Sequence, residues 1–324
     1  RSGPVSLFGA ALENGLPGIV YDSIGIPGGT AEVFLRAEER SFASQLAHRS
    51  PSLVVVMLGG NEAYEMGRGW MDLEKARRTS DRLLERVRAA VPKASCLVFG
   101  PMDAGVRSVD GRITPRRYTS EVGEALREVA MARGCAYWDT LTAMGGLGSA
   151  ERWFAEGLIH EDLAHPRASG SDLVGHLFDF ALERARLSRP GAWSMPPDDP
   201  PGLEVPGNAL ARTFSRLQSL EAGAPDAGAV SIVQLGASHT ASHMFTDEVR
   251  ERLARVFGGA GRGFVAAGKA SPRLSRANVS RRLVGPWHVP DARDREPGEA
   301  WGLTGVRAEG GPGAVATFSF GVDE

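Results

Sequence analysis

Leu53-Val-Val-Val-Met-Leu-Gly-Gly-Asn61-Glu62 is the stretch that decides the fold. From Ser52 to Leu58 it is an unbroken, largely β-branched apolar run, the pattern of a strand buried on both faces. Such strands belong to parallel sheets covered by helices. Gly59 and Gly60 then stop the run. They leave Asn61 at the carboxyl end of the strand, where open α/β sheets place their ligands. Working outward, Gly18–Gly25, Ala94–Gly100, Cys135–Asp139 and Val230–Leu235 read as further strands. Helical periodicity covers Ala31 to Ala47, Leu73 to Ala90, Val122 to Arg133, Leu173 to Arg186, Ala209 to Leu220 and Thr246 to Phe257. Repeated β–α units predict a parallel sheet with helices on both faces.

The alternation is interrupted once and ends once. Between 189 and 207, Pro190, Pro196, Pro197, Pro200, Pro201 and Pro206 crowd a polar stretch that reads as a linker. After Gly258-Gly-Ala-Gly-Arg-Gly263 the chain turns rich in Arg, Gly and Pro, with strand-like pieces such as Ala314–Phe320. Residues 269–324 therefore read as a partial β-rich module. The expected organisation is 1–188 and 208–268 as two parts of one α/β fold, joined by 189–207.

Composition excludes several classes. The 324 residues are 42% hydrophobic and 23% charged, with a formal net charge of -2, so no global field favours nucleic acid or an anionic membrane. No apolar run approaches the roughly 20 residues that span a bilayer. The opening Arg1-Ser-Gly-Pro-Val-Ser-Leu has no signal-peptide core and no initiator Met, and reads as a processed or excised piece. Cys96 and Cys135 sit in apolar runs and read as buried free thiols, with no zinc-site spacing. No metal and no cofactor are expected. The oligomeric state is left open.

Three segments carry chemistry. Gly157-Leu-Ile-His-Glu-Asp162-Leu-Ala-His165 supplies an Asp-x-x-His pair, in which the carboxylate can accept the imidazole Nδ1–H and free Nε2 as a general base. Ser231-Ile-Val-Gln-Leu-Gly-Ala-Ser238-His239 ends a strand in a turn, where Ser238 is either a nucleophile or a helix N-cap. Asn61, with a backbone N–H from Gly28 in Ile26-Pro-Gly-Gly-Thr30, is either an oxyanion donor or turn chemistry. His239 and His243 lie at i and i+4, without an evident third ligand, and read as a solvated or locally bonded pair. His48, His160, His176 and His288 read as surface or turn residues. The glycines from 258 to 263 follow a helix, which argues against a dinucleotide loop. Arg273, Arg276, Arg281 and Arg282 read as a solvated face.

Together, Gly-Ala-Ser238, the Gly28 turn, Gly-Gly-Asn61 and Asp162-Leu-Ala-His165 resemble the four motif blocks of the SGNH (GDSL-type) hydrolases. The resemblance implies a flavodoxin-like doubly wound sheet. It implies Ser238 as nucleophile, His165 as base and Asp162 as its orienter, with the Ser238 N–H, Gly28 and Asn61 as oxyanion hole. Leu-Gly-Ala-Ser-His-Thr-Ala241, Gly-Arg-Gly-Phe264 and Met144-Gly-Gly-Leu-Gly-Ser-Ala-Glu-Arg-Trp153 are similar to bacterial envelope members, including peptidoglycan O-acetylesterases. That likeness implies a cell-envelope location. Ala237 stands where the family has an Asp that shapes the nucleophile turn.

The blocks occur in rotated order, with the Ser block last. Two arrangements fit: a circularly permuted hydrolase, or a piece of a tandem array. In the first, the linker must reach back across a domain, which about 20 residues can do at about 5–6 Å × √n. The expected function is a serine esterase removing O-acyl groups, chiefly O-acetyl, from a carbohydrate or peptidoglycan-like partner. The rival is a catalytically silent glycan-binding or scaffolding module of the same fold, motivated by Ala237 and by the partial β-rich region.

Overall fold

Why the apolar runs become a sheet is visible in their alternation. Leu53, Val55 and Met57 point into one core cluster, and Val54, Val56 and Leu58 into another on the opposite face. All six are essentially buried. Burying each such side chain contributes on the order of 1.5–3 kcal/mol, so the run is stable only with cover on both sides. The computed structural model describes residues 4–187, 201–268, 279–290 and 296–320.

The central sheet has eight strands. In chain order they are β1 (Gly9–Glu13), β2 (Gly18–Gly25), β3 (Leu53–Met57), β4 (Ser95–Phe99), β5 (Ala136–Trp138), β6 (Leu203–Glu204), β7 (Ala229–Gly236) and β8 (Gly259–Ala266). Their spatial order is β1-β8-β2-β7-β3-β4-β5-β6. Neighbours from β8 to β5 run parallel, and β1 and β6 are antiparallel edges. β7 fills the slot between β2 and β3, pairing Ile232 with Tyr21 on one side and with Leu53 on the other. Without it both neighbours would expose apolar edges. Sequence from either side of the Pro-rich stretch thus shares one sheet.

Helices form the outer layers. Val174 and Phe178 of Ala168–Leu187, Leu217 of Ala211–Glu221, and Phe245 and Val249 of Met244–Phe257 pack one face. Phe34, Phe42, Leu83 and Leu126, from Ala31–Arg36, Glu39–His48, Leu73–Ala90 and Thr119–Ala132, pack the other. Beyond the sheet lie an antiparallel pair, Val279–Val284 with Val315–Phe320, and a small sheet of Val5–Leu7, Ala308–Gly310 and Trp287–His288.

The structure corrects several expectations. The helix expected over Ala31–Ala47 is two helices, because Ala37 is extended and the Glu38 carboxylate restarts the helix by accepting from the Arg40 and Ser41 N–H groups. The glycine-rich stretch expected to end the alternation is itself part of a strand, β8. Cys96 and Cys135 are not free thiols but a disulfide. Leu97 is in register with Ala136 on adjacent strands, which places the two preceding cysteines side by side with Cα atoms 4.7 Å apart. Most of the expected linker lies outside the described residues, but its end forms β6, and Trp138 Nε1 donates to the Pro201 carbonyl at 3.3 Å. Arg281 is not fully solvated, since it donates to the Ala266 carbonyl at 2.9 Å; Arg273 and Arg276 lie outside the described residues.

Candidate active site

β7, β3 and β4 deliver their carboxyl ends to one cleft, whose lining includes Ser238, Asn61 and Pro101. β7 ends at Gly236, and a short helix, Ser238–Ala241, starts two residues later. Gly236 is required there: a Cβ would meet Thr240 Oγ1 at 2.1 Å and the Met57 carbonyl at 2.8 Å. The helix is fastened from below. Tyr21 Oη donates to Gln234 Oε1 at 2.6 Å, Gln234 Nε2 donates to Thr240 Oγ1 at 2.8 Å, and Ser23 Oγ donates to the Thr240 carbonyl at 2.6 Å. Burial pushes the Tyr21 hydroxyl pKa up, so it stays a donor.

The loop before Ala168–Leu187 brings the imidazole. Leu163 adopts a left-handed conformation (φ 58°), and Ile159 bridges to Pro166 across the loop. Asp162 Oδ1 accepts the N–H of Ala164 at 3.1 Å and of His165 at 3.0 Å, so the carboxylate folds the turn that carries its partner. Its other oxygen accepts from His165 Nδ1 at 2.8 Å. Partial burial pushes the Asp162 carboxyl up, but those N–H groups and the imidazole together hold it below its usual range. His165 Nε2 lies 2.8 Å from Ser238 Oγ. With Nδ1–H committed to Asp162, Nε2 is the acceptor for the Ser238 hydroxyl proton.

Asn61 lines the same cleft as Ser238 and His165. Its Nδ2 donates to the Gly29 carbonyl at 2.8 Å, which orients the amide and leaves its second hydrogen. Gly28 sits in the turn after β2, with φ +71°, next to the residue that Asn61 holds; it does not line the cleft. The structure therefore joins Ser238, His165 and Asp162 by hydrogen bonds, sets Asn61 beside them, and leaves Gly28 at the margin.

Four further residues shape the site. Glu62, fully buried, accepts from the Gly59 N–H at 2.8 Å and the Ala31 N–H at 2.9 Å, so one carboxylate ties the Asn61 loop to the end of the Gly28 turn. His239 is neither solvated nor set up as a ligand. Its ring stacks on His165 with centroids 5.0 Å apart, and its Nε2 lies 3.0 Å from the Ala164 carbonyl. Desolvation, with the neighbouring His165, lowers its pKa to about 4, so it is a neutral donor. Asp103 accepts from Gly148 N–H (3.0 Å) and Ala150 N–H (2.8 Å), anchoring the loop and helix around Ser149. Arg116 lines the cleft from a hairpin. Glu62 and His239 each adjoin a residue that sequence reasoning had singled out. Asp103 and Arg116 have no such local signal.

Among the described residues no group of three or more His, Cys, Asp or Glu is placed to hold a metal ion, and no helix is long and apolar enough to cross a membrane.

A family model for the GDSL-like lipase/acylhydrolase family matches residues 2–173. The chain belongs to that family. The matched span holds Gly28, Asn61, Asp162 and His165, and Ser238 lies beyond it. Among solved structures, that of a peptidoglycan O-acetylesterase is similar at 24% identity, with a TM-score of 0.40 over 44% of this chain and 40% of that one. No curated protein matches the chain.

Proposed function

We propose that this member of the GDSL-like lipase/acylhydrolase family is a serine esterase that removes O-acyl groups, in the first place O-acetyl, from a carbohydrate or peptidoglycan-like substrate. In this reading Ser238 Oγ attacks the ester carbonyl while His165 Nε2 takes its proton. Asp162 keeps the imidazole in the required tautomer and stabilises its charged form. The tetrahedral oxyanion is met by the Ser238 N–H and the Asn61 amide, with the Gly28 turn orienting that amide through the Gly29 carbonyl. His165 returns the proton to the leaving alcohol, and water repeats the sequence on the acyl-enzyme.

The observation that carries the reading is the continuous bond chain, 2.8 Å from Ser238 to His165 and 2.8 Å from His165 to Asp162, in a cleft lined by an amide donor. Ala237 is compatible with it. The bonds from Ser23, Tyr21 and Gln234 fix the nucleophile helix from inside, without a carboxylate at 237. The disulfide supports an oxidising, extracytoplasmic setting such as the cell envelope. The sharing of one sheet by β7 and the segment before residue 187 supports a single composite site in one chain, as a permuted hydrolase would have.

Labelling with a fluorophosphonate probe tests the reading. The expected result is one adduct, on Ser238, absent from Ser238→Ala and strongly slowed in His165→Ala. A wild-type protein that stays unlabelled yet binds glycan would establish the silent-module alternative, for which Ala237 is the motivating residue.

A further inference from the structure

A short aromatic ledge leads out of the cleft. Tyr64 lines the cleft and is 46% exposed; Trp70, the next ring outward, is 62% exposed. The two rings meet edge to face with centroids 6.2 Å apart. Exposed apolar surface that is contiguous and borders a cleft is the kind that marks a binding site. Each ring is also flanked by a cation: the Arg116 guanidinium lies 5.7 Å from the Tyr64 centroid, and that of Arg68 lies 5.1 Å from the Trp70 centroid.

Arg116 is the unusual member. It faces the cleft beside Ser238 and His165, and burial pulls its pKa down while Asp162, Tyr64 and Asp103 act on it from a distance. Yet none of those carboxylates is ion-paired with it, nor is another among the described residues, whereas Arg127, Arg133 and Arg186 each hold one. A partly buried guanidinium stays charged, and its planar fork matches a carboxylate. Desolvating it without a fixed partner is a cost that a ligand can offset.

We propose that Arg116 and the Tyr64–Trp70 ledge form a subsite for an acidic carbohydrate, with Arg116 holding a sugar carboxylate at the cleft and the rings stacking on the adjoining sugar. A pyranose offers an apolar C–H face to an aromatic ring and a polar rim to water, the surface that Tyr and Trp edges suit. Arg116 touches Tyr64 and Tyr64 touches Trp70; the first two line the cleft with Ser238 and the third lies beyond its lining, a succession of contacts that consecutive sugars can occupy. This inference deepens the esterase reading by naming a charged substrate class, and its test does not need turnover.

The test is calorimetric titration of the intact chain at low ionic strength with hexagalacturonic acid, its fully methyl-esterified form, and inorganic phosphate. The acid should bind at least about tenfold tighter than the neutral ester, the ratio expected of one charge-assisted carboxylate contact. Arg116→Gln should bring the acid down to the ester's affinity, and Arg116→Lys should restore part of the difference. Trp70→Ala, at an exposed position that tolerates truncation, should weaken both sugars. Equal binding of acid and ester by the wild type, or an Arg116→Gln protein that still prefers the acid, would overturn the carboxylate contact. Trp70→Ala binding like the wild type would overturn the ledge. Displacement of the acid by equimolar phosphate would show a general anion site in place of a sugar subsite. Failure here leaves the esterase reading standing, and an inactive esterase leaves this binding result standing.

Discussion

Ser238 Oγ and His165 Nε2 are 2.8 Å apart although 73 residues separate them in the chain. The contact exists because β7 is inserted between β2 and β3, which aims its carboxyl end at the loop carrying His165. The central strand order and the candidate chemistry are therefore one fact, and perturbing either side of the contact has calculable consequences.

Asp162→Asn should keep the turn, since the amide oxygen can still accept the Ala164 and His165 N–H groups. It removes the anionic acceptor for His165 Nδ1 and so the control of tautomer. We expect kcat on an activated acetate ester to fall by on the order of 10²–10⁴-fold with KM little changed. Steady-state kinetics on both parameters checks this. Near-full activity would mean that Asp162 only folds the loop.

Glu62→Gln addresses the tie between the Asn61 loop and the end of the Gly28 turn. A glutamine offers one acceptor oxygen where Glu62 uses two, so either the Gly59 or the Ala31 N–H loses its partner. Leaving a buried donor unpaired costs about 1–3 kcal/mol. Urea unfolding should show that loss, and kcat should fall on the order of tenfold, with KM nearly constant, as Asn61 drifts from its place. Unchanged kcat in a destabilised variant would make Glu62 purely structural.

The Cys96–Cys135 disulfide closes a separation of 39 residues. Constraining a loop of that size is worth about 2–4 kcal/mol in the chain-entropy account. The double variant Cys96→Ser/Cys135→Ser, or the wild type under reductant, should melt several degrees lower. An unchanged melting temperature would show that the bridge adds no net stability.

His239 sets a pH dependence of stability. Its pKa is depressed in the fold from the ordinary 6.5 to about 4. Between those values the unfolded chain binds the proton and the folded chain does not, so stability is fully present above the upper value and is lost as pH falls toward the lower one. For this partly buried ring the effect is on the order of 1–2 kcal/mol. Melting curves from pH 7 to 4 should fall in the wild type, and less steeply in His239→Gln. Parallel slopes in the two proteins would contradict the assignment.

Much of this was legible in the chain. The continuous runs at Gly18–Gly25 and Leu53–Met57 announce buried parallel strands, and their apolar edges call for the strand at Val230–Leu235 between them. The Asp162–His165 spacing is local, so its bond could be read directly. What stayed hidden depends on remote register. β8 carries Gly259, Gly261 and Gly263, a poor strand by propensity. Asp22 Oδ1 docks it by accepting the Phe264 N–H at 2.6 Å, and the same close approach requires glycine at 263, where a Cβ would meet that oxygen at 2.4 Å. The disulfide needs the pairing of β4 with β5. The stacking of His239 and the place of Arg116 depend on where two loops land, which no periodicity encodes.

The most direct test of the whole account is the hydrolysis of p-nitrophenyl acetate by the wild type and by Ser238→Ala, measured side by side as kcat/KM. Ser238→Ala leaves the cleft, Asn61 and His165 in place and removes only the hydroxyl oxygen proposed to attack. The account predicts a loss on the order of 10³-fold or more. Equal rates in the two proteins would contradict it.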